Sequence, residues 1–301
     1  MKSKRHHQLV ALAAGVVMTT LTGTATATEG GGSSYNPGVE NFLMGAAPPP
    51  GFYVLEYLTH YRANDLMDND GNSAAPPGFK LRATAAATRF VWSTPTQVAG
   101  GNLVMHAIVP LVKLDVSFTG FSQGKTGLGD ITFGPSIAYH HSPALHSVVG
   151  LDFVAPTGGY RSTDQVNIGR NYWSVQPLYT MSYIDPNGFN GDFKATLNLN
   201  GKNSDTQYTS GNEFILDYSA GYGLGNGWVV GVGGYAYQQL NNDKQNGATL
   251  ANRKASSFAI GPSIKYDNGK GWFITAKLQK ETNAKNRPEG TALWVKTSIP
   301  F

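Results

Sequence analysis

Runs of strictly alternating residues recur along the chain and constrain its fold more than any other feature. In the run from 214 to 222 every second residue is apolar or aromatic, namely Phe214, Leu216, Tyr218, Ala220 and Tyr222. A period of two is typical of a β-strand with one apolar face. Twelve such runs are predicted, at about 51–61, 81–93, 102–117, 129–140, 145–155, 171–184, 189–200, 212–224, 228–239, 256–266, 272–282 and 291–301. The pattern therefore predicts an all-β chain.

The connections between these strands sort by length. The odd-numbered ones are long, at 62–80, 118–128, 156–170, 201–211, 240–255 and 283–290, and the even-numbered ones are mostly tight, at 94–101, 141–144, 185–188, 225–227 and 267–271. Barrels of the bacterial outer membrane have short periplasmic turns, longer outer loops and an even number of antiparallel strands of 9–11 residues. A soluble sandwich has no reason to sort its loops. The sequence therefore predicts a transmembrane antiparallel up-and-down β-barrel of about 12 strands with both termini in the periplasm.

Aromatic residues and prolines refine this prediction. Aromatic side chains lie at the short-turn ends of the strands, where a membrane-interface girdle is expected, at Trp92, Tyr139, Tyr183, Trp228, Tyr266, Trp272 and Phe301. Pro135, Pro177 and Pro262 lie inside strands. Because proline lacks the amide donor of a ladder, it is normally confined to edges and bulges. We therefore expect β-bulges at these three positions.

The first 27 residues have the layout of a secretory signal peptide. A basic start at Lys2, Lys4 and Arg5 precedes an apolar run from 9 to 21, and Ala25-Thr26-Ala27 supplies the small residues of a cleavage site. The apolar run is shorter than the roughly 20 residues that a spanning helix needs. We therefore predict three parts: a signal peptide at 1–27, an N-terminal segment at 28–50 and a barrel at 51–301.

Charge and cysteine content exclude several classes of function. Three of the 23 Lys and Arg residues lie in the signal, which leaves 20 against 19 Asp and Glu in the mature chain. The basic balance of the whole chain is thus mostly lost, and no basic face for nucleic acid is expected. With no cysteine, disulfides and thiolate metal sites are excluded. We expect no cofactor and no metal.

If the apolar face of each strand points to lipid, the charged residues point into the lumen. Arg89 fixes the orientation of its strand, since a lipid-facing arginine at mid-depth costs about 2–4 kcal/mol. The predicted lumen set is Glu56, His60, Arg89, Asp130, Asp152, Lys194, Glu213, Asp217, Lys265, Lys277 and Lys296. These residues line either a polar pathway or a network of structural ion pairs, because twelve strands lie between filled eight-stranded barrels and open sixteen-stranded pores.

The segment 28–50 is rich in Gly, Ser and Pro and contains Tyr35, Phe42, Leu43 and Met44. It is either a disordered periplasmic leader or a plug inserted into the lumen. In the second case 46–51, Ala-Ala-Pro-Pro-Pro-Gly, forms a rigid lead into the first strand.

A hydrolase site would need a paired serine and histidine with an orienting acid or amide. His140, His141 and His146 surround one short turn beside Ser142. A bare periplasmic turn is a poor place for chemistry on outer-leaflet lipid. We therefore predict that the chain is not an enzyme.

Several motifs resemble the meta-pathway phenol-degradation family of outer-membrane proteins. They are 127–135 (Gly-Leu-Gly-Asp-Ile-Thr-Phe-Gly-Pro), 48–53 (Pro-Pro-Pro-Gly-Phe-Tyr), 155–160 (Ala-Pro-Thr-Gly-Gly-Tyr) and 167–173 (Asn-Ile-Gly-Arg-Asn-Tyr-Trp). The resemblance implies a transporter or channel associated with the degradation of aromatic and other hydrophobic compounds. It carries over no catalytic residue, and its functional implication is an analogy of fold.

The sequence thus predicts a monomeric outer-membrane channel for small hydrophobic or aromatic compounds. The alternatives are a plugged structural or adhesion barrel that displays its outer loops and, third, an outer-membrane lipid hydrolase. The expected partners are outer-membrane lipid, the barrel-assembly machinery and the solute. Phe301 ends the last apolar stripe and is the expected barrel-assembly signal.

Overall fold

Twelve antiparallel strands form a closed barrel in the computed structural model, which describes residues 27–299. The strands are β1 (Gly51–Leu66), β2 (Lys80–Val98), β3 (Gly101–Phe118), β4 in two parts (Phe121–Leu128 and Ile131–His140), β5 (Leu145–Ala155), β6 (Ser174–Tyr183), β7 (Phe189–Asn200), β8 (Glu213–Gly223), β9 (Trp228–Gln239), β10 (Ser256–Asp267), β11 (Phe273–Lys285) and β12 (Pro288–Ile299). Each strand pairs with its neighbours in sequence, and β12 pairs with β1 to close the wall. The predicted barrel is confirmed. Between residues 27 and 299 no helix is long and apolar enough to cross a membrane.

The two ends of the barrel differ in the length of their connections. At one end, here called the turn end, the strands are joined by short turns such as 141–144 and 224–227. At the other, the outer end, longer connections include a small sheet of four two-residue strands, Lys202–Asn203, Tyr208–Thr209, Lys244–Gln245 and Ala248–Thr249.

Two of the predicted long loops, 118–128 and 283–290, are instead strand hairpins. The first turns at 119–120, and β3 pairs with β4 from Leu111–Leu128 to Phe118–Phe121. The second turns at 286–287. Both hairpins extend the wall at the outer end. The number of residues in a connection therefore did not distinguish an irregular loop from two strands that continue beyond the membrane and end in a tight turn.

The bulges expected at the three strand prolines are absent. Pro135 faces Met105, Pro177 faces Leu151 and Pro262 faces Val232 in unbroken register. On the other side of each proline the ladder omits the pairs around it and resumes in the same register. A missing donor is therefore tolerated by losing local pairing, without insertion of a residue.

The orientation of β1 is the reverse of the prediction. Tyr57 is 4% exposed and bonded inside the barrel, whereas its neighbour Leu58 is 47% exposed on the outer face. Glu56 and His60 share the outward face with Leu58, so their assignment to the lumen is corrected. Their polar atoms are satisfied on the outer wall by β2: Thr88 donates to Glu56 (2.8 Å), and His60 Nδ1 contacts Thr84 Oγ1 (2.9 Å).

Aromatic side chains form exposed clusters near the turn end. Phe52 stacks on Trp92 at 5.5 Å between ring centroids, and Tyr266 contacts both Trp228 and Trp272. Rings with an apolar body and a polar tip are favoured at a membrane–water interface. These clusters are consistent with the predicted girdle.

Most of the predicted signal peptide (1–26) and Phe301 lie outside the described residues. The assembly role of Phe301 therefore stays a prediction. Deleting Phe301 is expected to lower the amount of folded barrel in the membrane while leaving the conductance of each inserted barrel unchanged. Heat-modifiable migration of the protein on gels measures the folded amount. The Phe301→Tyr variant, which keeps a terminal ring, serves as the control, and normal levels of the truncated protein contradict the prediction.

Candidate transport pathway

The N-terminal segment, residues 27–50, lies inside the barrel. Its backbone and side chains contact eight strands that surround the lumen, and such a ring of contacts is reachable only from within. The contacted side chains are Tyr57 on β1, Arg89 on β2, Ser182 on β6, Asp192 on β7, Asp217 on β8, Ser263 on β10, Lys277 on β11 and Lys296 on β12.

The segment runs the height of the barrel from the outer end to the turn end. Ala27 N donates to Asn286 O (3.0 Å) in the outer turn between β11 and β12. Farther along, Gly45 N donates to Ser182 Oγ (2.7 Å), and Ser93 Oγ donates to Pro48 O (2.9 Å), both near the turn end. The start of β1 thus lies at the turn end, whereas the described chain begins at the outer end.

Glu40 is the electrostatic centre of the segment. Its carboxylate lies 3.2 Å from Lys296 Nζ, 3.4 Å from Arg89 Nη1 and 4.0 Å from Lys194 Nζ. The lysines also hold the backbone, since Lys277 donates to Glu40 O (2.7 Å) and Lys296 donates to Phe42 O (2.9 Å). Cations from four separate strands therefore converge on one short stretch of the segment.

Burial alone would raise the pKa of Glu40. The fields of Lys296, Lys194 and Arg89 outweigh that effect and hold the pKa at about 2, below its ordinary value of 4.5. A lowered carboxyl pKa means that the ionised form is favoured in the folded state. Its stabilising contribution is fully present above pH 4.5 and is lost as the pH falls through about 2.

Conductance in planar bilayers is therefore expected to rise as the pH falls from 4.5 toward 2. The physical reason is that protonation of Glu40 removes the charge that holds the segment. In the Glu40→Gln variant this step should be absent. A conductance rise between pH 4.5 and 2 that persists in Glu40→Gln would contradict the assignment.

Acidic residues of β8 hold the outer half of the segment. Asp217 accepts from Gly38 N (2.6 Å) and from the Tyr35 hydroxyl. Glu213 accepts from Ser33 Oγ (2.8 Å) and from the Tyr237 hydroxyl (2.5 Å). Both carboxylates are fully buried, and burying them requires such donors.

Nine of the predicted lumen residues face the interior, and Glu56 and His60 do not. Arg89, Lys194, Lys277 and Lys296 meet at Glu40, while Glu213 and Asp217 hold the outer half of the segment. The remaining three lie elsewhere along the wall: Asp152, which pairs with buried His106 (2.7 Å), Asp130, which accepts from Gly158 N (2.8 Å) where β4 is interrupted, and Lys265 on β10.

Sequence reasoning missed the residues of the segment that carry the contacts. Glu40 was not singled out, although it is the sole acidic residue between 30 and 55. It also missed Glu281, which accepts from Tyr61 (2.7 Å) and from Gly290 N (2.7 Å). The prediction that Glu56 and His60 face the lumen places Tyr61, on the alternate face of β1, toward lipid.

A cavity of about 310 Å³ remains between the segment and the inner wall. One side of it is apolar and made of small or aliphatic residues, including Leu81, Ala83, Ala85 and Ala87 of β2 with Ile108, Pro110 and Val112 of β3. The rest of the lining includes seven charged side chains, those of Glu40, Asp130, Asp152, Arg170, Lys194, Glu281 and Arg287. A cavity of this size that combines an apolar wall with polar groups is typical of a small-molecule site.

Nothing in the described part of the chain assembles metal-binding chemistry. No group of three or more His, Cys, Asp or Glu side chains between residues 27 and 299 could hold a metal ion. At the turn between β4 and β5, His140 Nδ1 contacts His146 Nδ1 (2.8 Å), and His141 Nε2 contacts Ser147 Oγ (2.7 Å).

A closed twelve-stranded wall with a polar interior and an apolar exterior defines the class of protein as an outer-membrane β-barrel. The chain belongs to the family described as "Putative MetA-pathway of phenol degradation", whose sequence profile matches residues 63–297. The predicted family is thereby confirmed.

Comparison with solved structures found matches of low sequence identity. An outer membrane channel from Pseudomonas putida F1 superposes with a TM-score of 0.77 at 16% identity, covering 87% of this chain and 100% of that one. The β-domain of the Bordetella autotransporter BrkA gives 0.45 at 12% identity, with 83% and 100% covered. The CymD monoaromatic hydrocarbon channel gives 0.41 at 10% identity, with 84% and 89% covered. Comparison with curated protein sequences found no match.

Proposed function

We propose that this barrel passes small hydrophobic or aromatic molecules across the outer membrane and carries out no chemistry on them. The observation that carries the proposal is the internal cavity, which has an apolar wall on β2 and β3 and polar and charged groups in the rest of its lining. Membership of a phenol-degradation family and the fold of an outer membrane channel support it. The protein reaches the outer membrane as an exported chain whose signal peptide, residues 1–27, is cleaved.

The segment 28–50 acts in this proposal as a plug that narrows the lumen and forms one side of the solute site. Tyr35, Val39 and Glu40 line the cavity from the segment. Transfer of an apolar solute from water to the alanine-rich wall is favourable by about 25 cal/mol per Å² of buried apolar surface. The polar side of the cavity then orients a hydroxyl or carboxyl group. Solute selection would follow from this two-sided lining.

Filling the cavity tests the proposal. Ala87 lines the cavity, whereas Ala86 faces the outer groove beside Leu58 and Leu111. The Ala87→Phe variant is expected to slow uptake of a labelled monoaromatic compound severalfold in cells that depend on the protein, because the ring occupies solute space. The matched Ala86→Phe variant should transport normally, since an added ring there faces lipid.

Equal uptake by both variants and by a strain without the gene would refute transport of these compounds. It would instead favour the second candidate, a structural barrel whose lumen is filled by its own segment. The eight-strand ring of contacts to the segment is the observation that favours this candidate. Turnover of ester or lipid substrates by the purified protein would contradict the absence of chemistry.

A further inference from the structure

The Asp243 carboxylate, in the outer connection between β9 and β10, is fully buried among four donors. Oδ1 accepts from Gly211 N (2.7 Å) and Gln239 Nε2 (2.8 Å), and Oδ2 accepts from the Tyr208 hydroxyl (2.5 Å) and Thr28 N (2.8 Å). All four donors are neutral in the uncleaved chain. A buried carboxylate is better stabilised when one of its donors carries a positive charge.

The backbone of Thr28 is strained as long as residue 27 is attached to it. Its torsions are φ 60° and ψ 151°, in a region that is essentially reserved for glycine and costly for a β-branched residue. The φ angle is defined by the peptide bond to Ala27. A Thr28 that begins the chain has no φ, so this strain exists only in the precursor.

Cleavage after Ala27 would remove the strain and place a positive charge on one of the four donors. The small residues Ala25-Thr26-Ala27 form the predicted signal-peptidase site. Hydrolysis of the Ala27–Thr28 bond consumes one water and leaves a carboxylate on Ala27 and an ammonium group on Thr28. The nitrogen that becomes the ammonium is the atom already placed 2.8 Å from Asp243 Oδ2.

We propose that Asp243 is a receptor for the mature N-terminus, holding the α-ammonium group of Thr28 as a buried ion pair at the outer end of the barrel. The inference rests on the proposed cleavage and on the segment's place in the lumen. The next residue is held as well: Glu29 N donates to Ser210 Oγ (3.1 Å), and the Glu29 carboxylate accepts from Thr206 Oγ1 (2.6 Å) and Asn203 Nδ2 (2.8 Å). The segment is thus fastened at its first two residues and again at Glu40.

Two measurements on the wild-type protein from outer membranes test the proposal first. Intact mass and N-terminal sequencing are expected to show that the mature chain begins at Thr28. An amine-reactive acylating reagent, followed by proteolysis and mass analysis of the N-terminal peptide, should label the α-amine far more slowly in the folded barrel than in urea. A different first residue, or equal labelling rates, overturns the proposal.

A variant that lacks the negative charge of Asp243 tests the proposal most directly. In the Asp243→Asn variant the α-amine should be labelled at a rate close to that of the unfolded protein. In the control variant Asp205→Asn, which changes an exposed residue in the outer connection between β7 and β8, the α-amine should stay protected. Protection retained in Asp243→Asn overturns the proposal. If Asp243→Asn does not fold, the two wild-type measurements still decide.

The outcome is separable from that of the proposed function. Amine protection reports on the Asp243 end of the segment alone, while conductance after deletion of the segment reports on the lumen. A labelled wild-type amine together with a conductance rise on deletion refutes the receptor and keeps the plug. A protected amine without such a rise keeps the receptor and refutes the plug.

Discussion

Deleting residues 30–45 is expected to raise single-channel conductance in planar bilayers severalfold. The segment occupies the lumen across most of its height, and the wall's own pairing does not depend on it. Residues 28–29 and 46–50 are kept so that signal cleavage and the lead into β1 are preserved. Without the segment, a twelve-stranded barrel has an interior wider than the filled lumen of an eight-stranded one.

The control for this deletion is a shortening that leaves the lumen untouched. Removal of 246–247, the exposed turn between two short outer strands, should leave the conductance at the wild-type level. Folding of both variants is checked by heat-modifiable migration on gels. Unchanged conductance in a folded 30–45 deletion would show that the segment does not limit the pathway.

The Glu40→Gln substitution has the second largest expected effect. It leaves Lys296, Arg89 and Lys194 converging on a neutral amide. Breaking a buried ion pair by removing one partner costs about 3–5 kcal/mol, because the remaining charge stays buried without its counter-ion. We expect the segment to loosen, the conductance to rise and the open channel to prefer anions.

Glu29→Gln is the matched control for this substitution. Glu29 lies in the same segment, but its carboxylate accepts from the neutral groups of Thr206 and Asn203. The oxygen of the introduced amide can accept from Asn203 Nδ2, and the Thr206 hydroxyl can turn to accept from the amide nitrogen, so neither conductance nor selectivity should change. Reversal potentials in a salt gradient measure the selectivity. If both variants behave alike, the convergence of cations on Glu40 is not what holds the segment.

The barrel, and most of the residues that face its interior, could be predicted from the period-two alternation of the sequence. It oriented Lys194, Asp217, Lys277 and Lys296 correctly because their strands have one clearly apolar face. It reversed β1 because tyrosine was counted as apolar. The hydroxyl of Tyr57 is bonded to Glu40 and that of Tyr61 to Glu281, so these rings fill the interior while Leu58 faces lipid. Because its ring is apolar and its hydroxyl is polar, tyrosine is compatible with both the lipid-facing side and the interior of a barrel strand.

The path of the segment could not be predicted from its own residues. Residues 28–50 have no period, and each contact joins positions far apart in sequence, such as Glu40 and Lys296. The composition of the segment was compatible both with a disordered periplasmic leader and with a plug inserted into the lumen. The four cations around Glu40 come from four different strands. They reach the same depth in the barrel only through the register in which those strands pair, and the sequence alone does not give that register.

The most direct test of the internal segment is a disulfide between it and the wall. Ser34 Oγ and Ser174 Oγ of β6 lie 2.9 Å apart, and the natural chain has no cysteine. In the Ser34→Cys/Ser174→Cys variant, oxidation in native outer membranes should remove both thiols from maleimide labelling and leave the conductance at its closed level. In the control pair, Ser34→Cys with Leu199→Cys, the second cysteine replaces an exposed residue of β7, and both thiols should stay free. Failure of the first pair to form a disulfide in folded barrels would contradict a segment threaded through the lumen.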